Sequence, residues 1–355
     1  MERELVRSLP KAVLHDHLDG GLRVGTILEL ADAAGYTGLP AATEDGLAEW
    51  FHQGESGSLV EYLAAFDQAV AVMQTPEALS RIAYECLLDH AAENVVYAEI
   101  RFAPALHTRA GLSLEAIIEA VIDGMHRARR ETGVAFGVLI DALRHQGPAD
   151  AVVRAAIPFL HTGVVGFDLS GPEAGHPPDE HLAECRLARE SGLGLTLHAG
   201  EAAGPESIWR AYGRCHAQRI GHGVRIVEDT IRREGEIVAC GELARTIRDH
   251  RVLLEVCPTS NLHTGIAPSP EEHPLGALYR AGFNLSISTD NRLMSDVTMT
   301  DEYFLAVVHH GFNAADLAAV TVNALEAGFG DWPERRRLRD EVVIPAYRAV
   351  EVRTP

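Results

Sequence analysis

A pair of histidines one residue apart is the first group in this chain that could do chemistry. His15-Asp-His17 lies inside an otherwise apolar stretch. Residues i and i+2 of a β-strand point to the same side, so both imidazoles can converge on one point. Histidine is the commonest metal ligand near neutral pH, and a metal site is therefore one interpretation. Two partly buried histidines with ordinary hydrogen bonds are the alternative.

Three further motifs end apolar runs with groups suited to catalysis. In His198-Ala-Gly-Glu201 the glycine lets the chain turn sharply and bring Glu201 towards the point that His198 faces. A carboxyl group there can act as a general acid if desolvation keeps it protonated. His222 stands between two glycines, where few neighbours can pack against it, which favours catalysis over a role in the core. Asp290-Asn291 supplies a carboxylate followed by an amide.

The elements that must position these motifs are apolar runs rich in Val, Ile and Leu, which predict strands. There are eight of them: Ala12–Leu18, Val95–Ala103, Ala135–Ala142, Val164–Leu169, Gly194–Ala199, Gln218–Gly223, Leu253–Cys257 and Asn284–Thr289. Amphipathic helices are predicted between them, for example at Leu114–Thr132, Asp179–Ser191, Gly241–His250 and Pro274–Ala281. This alternation predicts an α/β fold with a parallel sheet, closed as a TIM-type (β/α)8 barrel.

All four motifs fall at the carboxyl ends of different predicted strands. In a (β/α)8 barrel those ends meet at one face, where catalysis is found. Three histidines and one aspartate make a nitrogen and oxygen ligand set suited to zinc, with a position left for water. The predicted set is His15, His17, His198 and Asp290.

The connection between the first two predicted strands is longer than the others, which predicts extra helices over about 25–93. Insertions at this end of a barrel lie over the mouth of the active site and often form lids. Leu59, Tyr62, Leu63 and Phe66 fall on one face of a helix, a stripe that is more often core packing than ligand contact. We see no other domain boundary and expect all 355 residues to form a single domain.

Composition limits the partners. The formal net charge is −20, which argues against nucleic acid, because binding phosphates requires positive charge. No apolar run approaches the length of a membrane span, and the amino terminus has no signal-peptide pattern, so we expect a cytoplasmic protein that acts on a small molecule and not on a membrane. A serine hydrolase would need a G-x-S-x-G elbow, which the sequence lacks. The sequence leaves homo-oligomerisation open.

With these residues in place, the chain resembles the adenosine deaminase family of the amidohydrolase superfamily over nearly its whole length. Four family motifs occur in the family's order. They are H-x-H-L-D-G at His15 to Gly20, H-A-G-E at His198 to Glu201, R-I-G-H-G at Arg219 to Gly223 and S/N-T-D at Ser288 to Asp290.

This resemblance implies zinc-dependent hydrolytic deamination of adenosine, and of 2′-deoxyadenosine, to inosine and ammonia. It implies one Zn²⁺ per chain, held by His15, His17, His198 and Asp290. Glu201 would protonate or hydrogen-bond purine N1, and His222 would take a proton from the attacking water and orient the resulting hydroxide. Asp19 would accept hydrogen bonds from the ribose, and Gly171 would offer its backbone N–H to purine N3. The four apolar side chains align with a hydrophobic lid: Leu59, Tyr62, Leu63 and Phe66.

Two positions depart from the commoner family pattern. Asn291 stands where a second aspartate usually donates to purine N7, and an amide is a donor at every pH. Pro172 stands where many relatives carry an acidic residue, so contact with the N1–N3 edge can differ. Related enzymes with two metals commonly use a lysine after the fourth strand; Lys11 is the only lysine in this chain, which favours one metal.

Two other functions remain open at this stage. The chain could deaminate another aminopurine, such as adenine, a modified adenosine or an adenine-bearing metabolite. Related adenine deaminases typically have H-x-H-L-E-G, so Asp19 favours a nucleoside. A catalytically silent binding protein is the third interpretation, and the presence of all four predicted metal ligands together with Glu201 and His222 argues against it.

Overall fold

Eight parallel strands, β1 to β8, form one sheet in chain order. The computed structural model describes residues 1–54, 56–63 and 65–351. The strand bounds are β1 Lys11–His17, β2 Val95–Phe102, β3 Ala135–Leu143, β4 Val164–Ser170, β5 Gly194–Ala199, β6 Arg219–His222, β7 Leu253–Val256 and β8 Asn284–Ile287. All eight predicted strands are present, with ends within two residues of the expected ones. The (β/α)8 barrel is therefore confirmed.

The barrel closes where the chain leaves β8 and meets the carboxyl end of β1. Asp290 donates its backbone N–H to the carbonyl of His15 at 2.9 Å, and its own carbonyl accepts from the N–H of His17 at 2.8 Å. Asp16 and Asp290 form the corresponding parallel bridge. Closure therefore sets Asp290 directly beside both histidines of the first motif.

Helices follow the strands and cover the outside of the barrel. Their bounds are Arg3–Ser8, Val24–Ala34, Glu44–Phe51, Leu59–Leu63, Phe66–Ala71, Pro76–Ala92, Leu114–Thr132, Ala149–Ala156, Leu182–Glu190, Pro205–Trp209, Glu242–Asp249, Pro258–His263, Leu275–Arg280, Arg292–Ser295, Met299–His310, Ala314–Ala327, Trp332–Arg337 and Ile344–Glu351. Among the described residues, no helix is both long enough and apolar enough to cross a membrane.

The helix Leu114–Thr132 shows why the pattern of the sequence was sufficient to find these elements. Ser113 caps its first turn by accepting from the N–H of Ala116, and Gly133 ends it in the left-handed conformation, which glycine adopts without strain. Its apolar face is buried, and it packs against the helix Pro76–Ala92. Both ends agree with the predicted bounds.

The long connection from β1 to β2 contains several helices, and the last of them, Pro76–Ala92, packs against β2. The spacing predicted that the apolar stripe lies on one helix, but the structure divides it between two. Leu59–Leu63 carries its first three members, and Phe66 begins a second short helix, Phe66–Ala71. Residue 64, between them, lies outside the described residues.

A two-stranded antiparallel hairpin between β6 and β7 was not predicted. Thr230–Arg233 pairs with Glu236–Cys240. The two residues between these strands, Glu234 and Gly235, both have positive φ, at 52° and 84°. Such a turn suits the right-handed twist of a hairpin. The pair Glu-Gly was therefore the feature of the sequence that could have predicted this hairpin.

Candidate metal and substrate site

The four residues predicted to bind metal come together at the carboxyl end of the barrel. His15 and His17 end β1, His198 lies near the end of β5, and Asp290 follows β8. All four are buried, and each offers a ligand atom within 4.8 Å of the others. Nε2 of His17 lies 3.3 Å from Nε2 of His198, and Oδ1 of Asp290 lies 3.3 Å from Nε2 of both His15 and His17.

These spacings fit a metal ion at their centre. Ligand atoms about 2.0–2.1 Å from a tetrahedral zinc ion stand roughly 3.3 Å apart. Nε2 of His15 is buried and has no hydrogen-bond partner among the described residues. Burial lowers the pKa of His17 and His198, which keeps the imidazoles neutral and their lone pairs available. The donor set therefore has the chemistry and the geometry of a metal site.

Carboxylates on the side away from the cluster fix the ring orientation of two of these histidines. Nδ1 of His15 is hydrogen-bonded to Oε2 of Glu255 at 2.9 Å, and Nδ1 of His198 lies 2.9 Å from Oδ2 of Asp168. A carboxylate at Nδ1 sets the tautomer and leaves Nε2 free to face the metal. Both Nε2 atoms point into the cluster.

Below the cluster, the centre of the barrel holds a buried network of charged side chains. Arg101 pairs with Asp168 and Glu255, and Arg219 pairs with Glu255 and Glu99. Each is at most 1% exposed. Burial opposes the charge on Glu255, but Arg101 and Arg219 outweigh it and hold its pKa well below the usual range. Three carboxyl groups face two guanidinium groups, an excess of negative charge that favours a cation in the cluster above.

Sequence analysis assigned no role to this network, although a signal was present. Glu99 and Arg101 interrupt the apolar run of β2, Asp168 interrupts that of β4, and Glu255 that of β7. Charged residues are almost never fully buried unless they are paired. Charges inside apolar strands therefore predicted partners, but the sequence did not say which.

His222 is oriented by a relay of hydrogen bonds from outside the barrel. Leu275 donates its backbone N–H to Nδ1 of His273 at 3.1 Å, so the ring proton of neutral His273 is on Nε2 and points to Oδ1 of Asn261 at 3.3 Å. Burial lowers the pKa of His273 to about 3, which keeps it neutral. The amide nitrogen of Asn261 then donates to Nδ1 of His222 at 3.1 Å. Neutral His222 consequently carries its proton on Nε2, and that atom lies 3.7 Å from Oε2 of Glu201.

The loop that carries Glu201 is fixed by a second carboxylate. Glu173, buried after β4, accepts four backbone N–H groups, at 2.6–3.0 Å, from Gly200, Glu201, Ala202 and Ala203. Burial raises the pKa of Glu201 well above its usual value, and the charges of Asp290 and Glu173 add to this. The carboxyl group is thus kept protonated and able to donate.

Two of the site residues have an unusual backbone conformation. His222 has φ of 59° and Asp290 has φ of 62°, a region that residues other than glycine seldom occupy. Each ends its strand by turning the side chain towards the cluster, and Ser260 donates to Oδ2 of Asp290 at 2.6 Å. Strain of this kind persists only where the surrounding structure enforces it.

A cavity opens directly above the cluster and contains every predicted substrate-binding residue. His15 is fully buried below it. The predicted residues that line it are His17, Asp19, Leu59, Tyr62, Leu63, Phe66, Gly171, His198, Glu201, His222, Asp290 and Asn291.

Several of these residues are held in defined positions. Asp19 accepts from the N–H of Ala103 at 3.4 Å, and burial raises its pKa to about 7. Asn291 packs so closely on Gly20 that a Cβ there would lie 2.1 Å from its Oδ1. Tyr62, 1% exposed, is hydrogen-bonded to Ser295 at 2.7 Å.

Sequence analysis missed the part of the cavity wall that comes from β3 and β4. Asp141, His145, Gln146 and Ser170 line the cavity beside Gly171. Asp141 interrupts the apolar run of β3 two residues from its end, which was the available signal. The described lining residues include no lysine or arginine, whereas several carboxyl groups line the cavity.

Comparisons with known proteins find relatives over nearly the whole chain. The family model for adenosine deaminase matches residues 10–345. An adenosine deaminase of Mycobacterium ulcerans is 46% identical over 351 residues, 97% of each chain. The structure of an adenine deaminase from Arthrobacter aurescens superposes with a TM-score of 0.85 at 27% identity, covering 95% of this chain and 99% of that one.

A zinc-containing structure is also similar. An amidohydrolase from Burkholderia ambifaria with bound zinc superposes with a TM-score of 0.84 at 26% identity, covering 99% of this chain and 94% of the other. The family model covers far more than half of the chain, and the Mycobacterium relative is similar along its whole length. The chain therefore belongs to the adenosine deaminase family.

Proposed function

We propose that this protein hydrolyses adenosine, and 2′-deoxyadenosine, to inosine or deoxyinosine and ammonia, with one zinc ion per chain. The observation that carries the proposal is the convergence, in one cavity, of a three-histidine and one-aspartate cluster with Glu201 and His222. A hydrolytic deamination needs these parts: an activated water, a group that protonates the ring and a group that orients the water.

His15, His17, His198 and Asp290 would hold the zinc ion. Zinc in this place supplies a water molecule whose pKa is lowered to about 7, and so a nucleophile at neutral pH. The carboxylates of Glu255 and Asp168 keep the ligand nitrogens turned towards the ion.

Glu201 is the general acid in this proposal. Its carboxyl group lines the cavity, and its backbone is fixed by Glu173. Donation of its proton to purine N1 draws electrons from C6 and weakens the aromatic system, so that C6 accepts the attack of water. The resulting tetrahedral carbon collapses with loss of ammonia: one proton of the attacking water goes to the departing amino group, the other restores Glu201, and N1 keeps the donated proton in inosine. A positioned acid of this kind contributes about 10²–10⁴-fold.

His222 would orient the attacking water. The relay through Asn261 places the proton of the neutral ring on Nε2, which can donate to the water oxygen and direct its lone pair to C6. Taking a proton from that water, the other part of the role implied by family resemblance, requires a ring nitrogen that is free to accept. We therefore propose orientation as the first function of His222.

The remaining lining residues would select and cover the substrate. Asp19 would accept hydrogen bonds from the ribose, Gly171 would donate its N–H to N3, and Asn291 would donate to N7. Leu59, Tyr62, Leu63 and Phe66 would form the apolar cover, as part of a lid over about 25–93 of a single-domain protein. A lining rich in carboxyl groups disfavours a nucleotide phosphate, which supports a nucleoside.

A second candidate is deamination of another aminopurine. The similarity to an adenine deaminase structure favours it, as do Asn291 and Pro172, both of which line the cavity. The two candidates differ in the preferred compound: adenosine and 2′-deoxyadenosine in the first, and adenine, a modified adenosine or an adenine-bearing metabolite in the second.

The test is a substrate panel with the zinc-loaded protein. Initial rates of ammonia release are compared for adenosine, 2′-deoxyadenosine, AMP and adenine. We expect kcat/KM to be highest for the two nucleosides. A higher kcat/KM for adenine would establish the second candidate, and no release from any of the four would reject both.

A further inference from the structure

One buried carboxyl oxygen in the cavity wall has no role in the proposed reaction. Asp141 lies near the end of β3 and is 1% exposed. Its Oδ2 accepts the hydroxyl hydrogen of Ser170, the last residue of β4. Its Oδ1 has no hydrogen-bond partner among the described residues. Both side chains line the cavity.

An oxygen in this state is costly in the free protein. Leaving a buried polar group unpaired destabilises a fold, because the group has lost its hydrogen bonds to water and gained none in the protein. Such groups in native structures mark places where a bound molecule or an ordered water supplies the partner. Because Asp141 and Ser170 both line the substrate cavity, a bound substrate is the nearest source of such a partner.

The surroundings indicate what kind of group the substrate would bring. Asp19 and Asp168 lie near enough to Asp141 to act on its charge, and Arg101 acts on it from the barrel interior. Arg101 is already paired with Asp168 and Glu255. Burial and the charges of Asp168 and Asp19 raise the pKa of Asp141 well above its usual value, and a protonated carboxyl group keeps acceptor capacity beside its one O–H. The neighbouring carboxylates disfavour a further acceptor here, whereas an O–H or N–H donor on the substrate would satisfy the free oxygen.

The place of Asp141 in the barrel indicates which part of the substrate it meets. The proposed metal ligands come from β1, β5 and the end of β8, and neither β3 nor β4 carries one. Asp141 lies on β3, which pairs with β4, and β4 is followed directly by Gly171, whose N–H is expected at purine N3. Asp141 is also near enough to Asp19, which is expected at the ribose, for their charges to interact. It therefore faces the part of the substrate away from C6.

We propose that Asp141, with Ser170 as its partner, determines substrate specificity by accepting a hydrogen bond from a donor remote from the reacting carbon. Two donors share this chemistry: a hydroxyl of the sugar and an amino group at purine C2. The inference rests on the proposed function, since it names a selectivity of the same site.

The test compares Asp141→Ala with the unmodified enzyme on matched substrates. These are adenosine, its 2′-, 3′- and 5′-deoxy analogues, and 2-aminoadenosine. If a sugar hydroxyl is the donor, Asp141→Ala lowers kcat/KM for adenosine by about 10- to 100-fold, the value of a buried hydrogen bond to a carboxyl group. The loss is then less than about twofold for the one analogue that lacks that hydroxyl. If the C2 amino group is the donor, only 2-aminoadenosine shows the loss.

Two further variants separate recognition from structure. Ser170→Ala leaves the carboxyl group in place but removes its partner, and we expect the same pattern across substrates with a smaller loss. Asp150→Ala removes an exposed carboxyl group outside the cavity, where it pairs with Arg154, and we expect less than a twofold change for every substrate.

An equal loss on all five substrates in both Asp141→Ala and Ser170→Ala would overturn the inference, as would no loss on any. Failure of the proposed function has a different signature, because the unmodified enzyme would then deaminate none of the five. Thermal unfolding of each variant shows that the comparison is made on folded protein.

Discussion

The two sides of the cavity differ in how their polar atoms are satisfied. On the metal side, Nδ1 of each of three histidines lies beside a partner that the protein fixes. The pairs are His15 with Glu255, His198 with Asp168, and His222 with Asn261. On the side of β3, Asp141 and Asp19 each have a buried oxygen without a hydrogen-bond partner among the described residues. The protein itself fixes the Nδ1 nitrogens of the metal side, whereas the oxygens on the β3 side, like Nε2 of His15, are satisfied only by something that enters.

This difference teaches how to separate support from recognition in a buried polar site. A fully connected network rigidifies its members, whereas an unpaired buried group is costly until it is bound. Substitutions on the metal side should therefore weaken zinc binding and lower kcat/KM for every substrate by the same factor. Substitutions on the other side should act on some substrates and leave others unchanged.

The largest effect is expected from Asp290→Ala. The change removes the only carboxylate of the proposed ligand set, whose Oδ1 lies 3.3 Å from Nε2 of His15 and of His17. We expect deamination to fall to background for every substrate and the zinc content to fall with it. Metal analysis and rates on the same sample check this; full activity at normal zinc content would exclude Asp290 as a ligand.

A smaller effect on the same side is expected from Glu255→Gln. The amide keeps the volume but weakens the contact with His15, and loss of such an outer partner typically costs 10–100-fold in metal affinity or activity. Glu99→Gln is the matched control, since Glu99 pairs with Arg219 and not with a histidine of the cluster. We expect the zinc dissociation constant to rise more in Glu255→Gln than in Glu99→Gln. An equal rise in both variants would show that the contact of Glu255 with His15 does not contribute to zinc binding.

On the recognition side, Asp19→Ala should discriminate between substrates. We expect kcat/KM for adenosine to fall by about 10- to 100-fold, because a hydrogen bond to a carboxyl group is lost. The value for adenine, which has no sugar, should change by less than about threefold, and zinc content should not change. A uniform fall on both substrates would assign Asp19 to support and not to recognition.

The smallest effect is expected from Leu63→Ala in the apolar cover. Leu63 is half-buried and lines the cavity without touching the cluster. Removing part of an apolar contact of about 1 kcal/mol should raise KM by roughly fivefold and leave kcat nearly unchanged. Steady-state kinetics on adenosine measure both; a fall in kcat with constant KM would point to a role in the chemical step.

The sequence predicted the strands and the proposed metal ligands better than the buried charges and the cavity wall, for physical reasons. Strands such as β5 were found because short runs rich in apolar residues encode burial locally. His198 and Asp290 were found because their types are unusual at the ends of such runs. Arg101, Glu255 and Asp141 were missed because their partners come from other strands of the barrel. The apolar stripe was placed on one helix because spacing alone does not reveal the break before Phe66.

The most direct test of the central claim is a zinc titration of metal-free protein with adenosine as substrate. We predict that the rate of ammonia release rises with added zinc, reaches a plateau at one zinc per chain, and yields inosine equal to the ammonia released. A plateau only at two zinc ions per chain, or no inosine at full zinc load, would contradict the account.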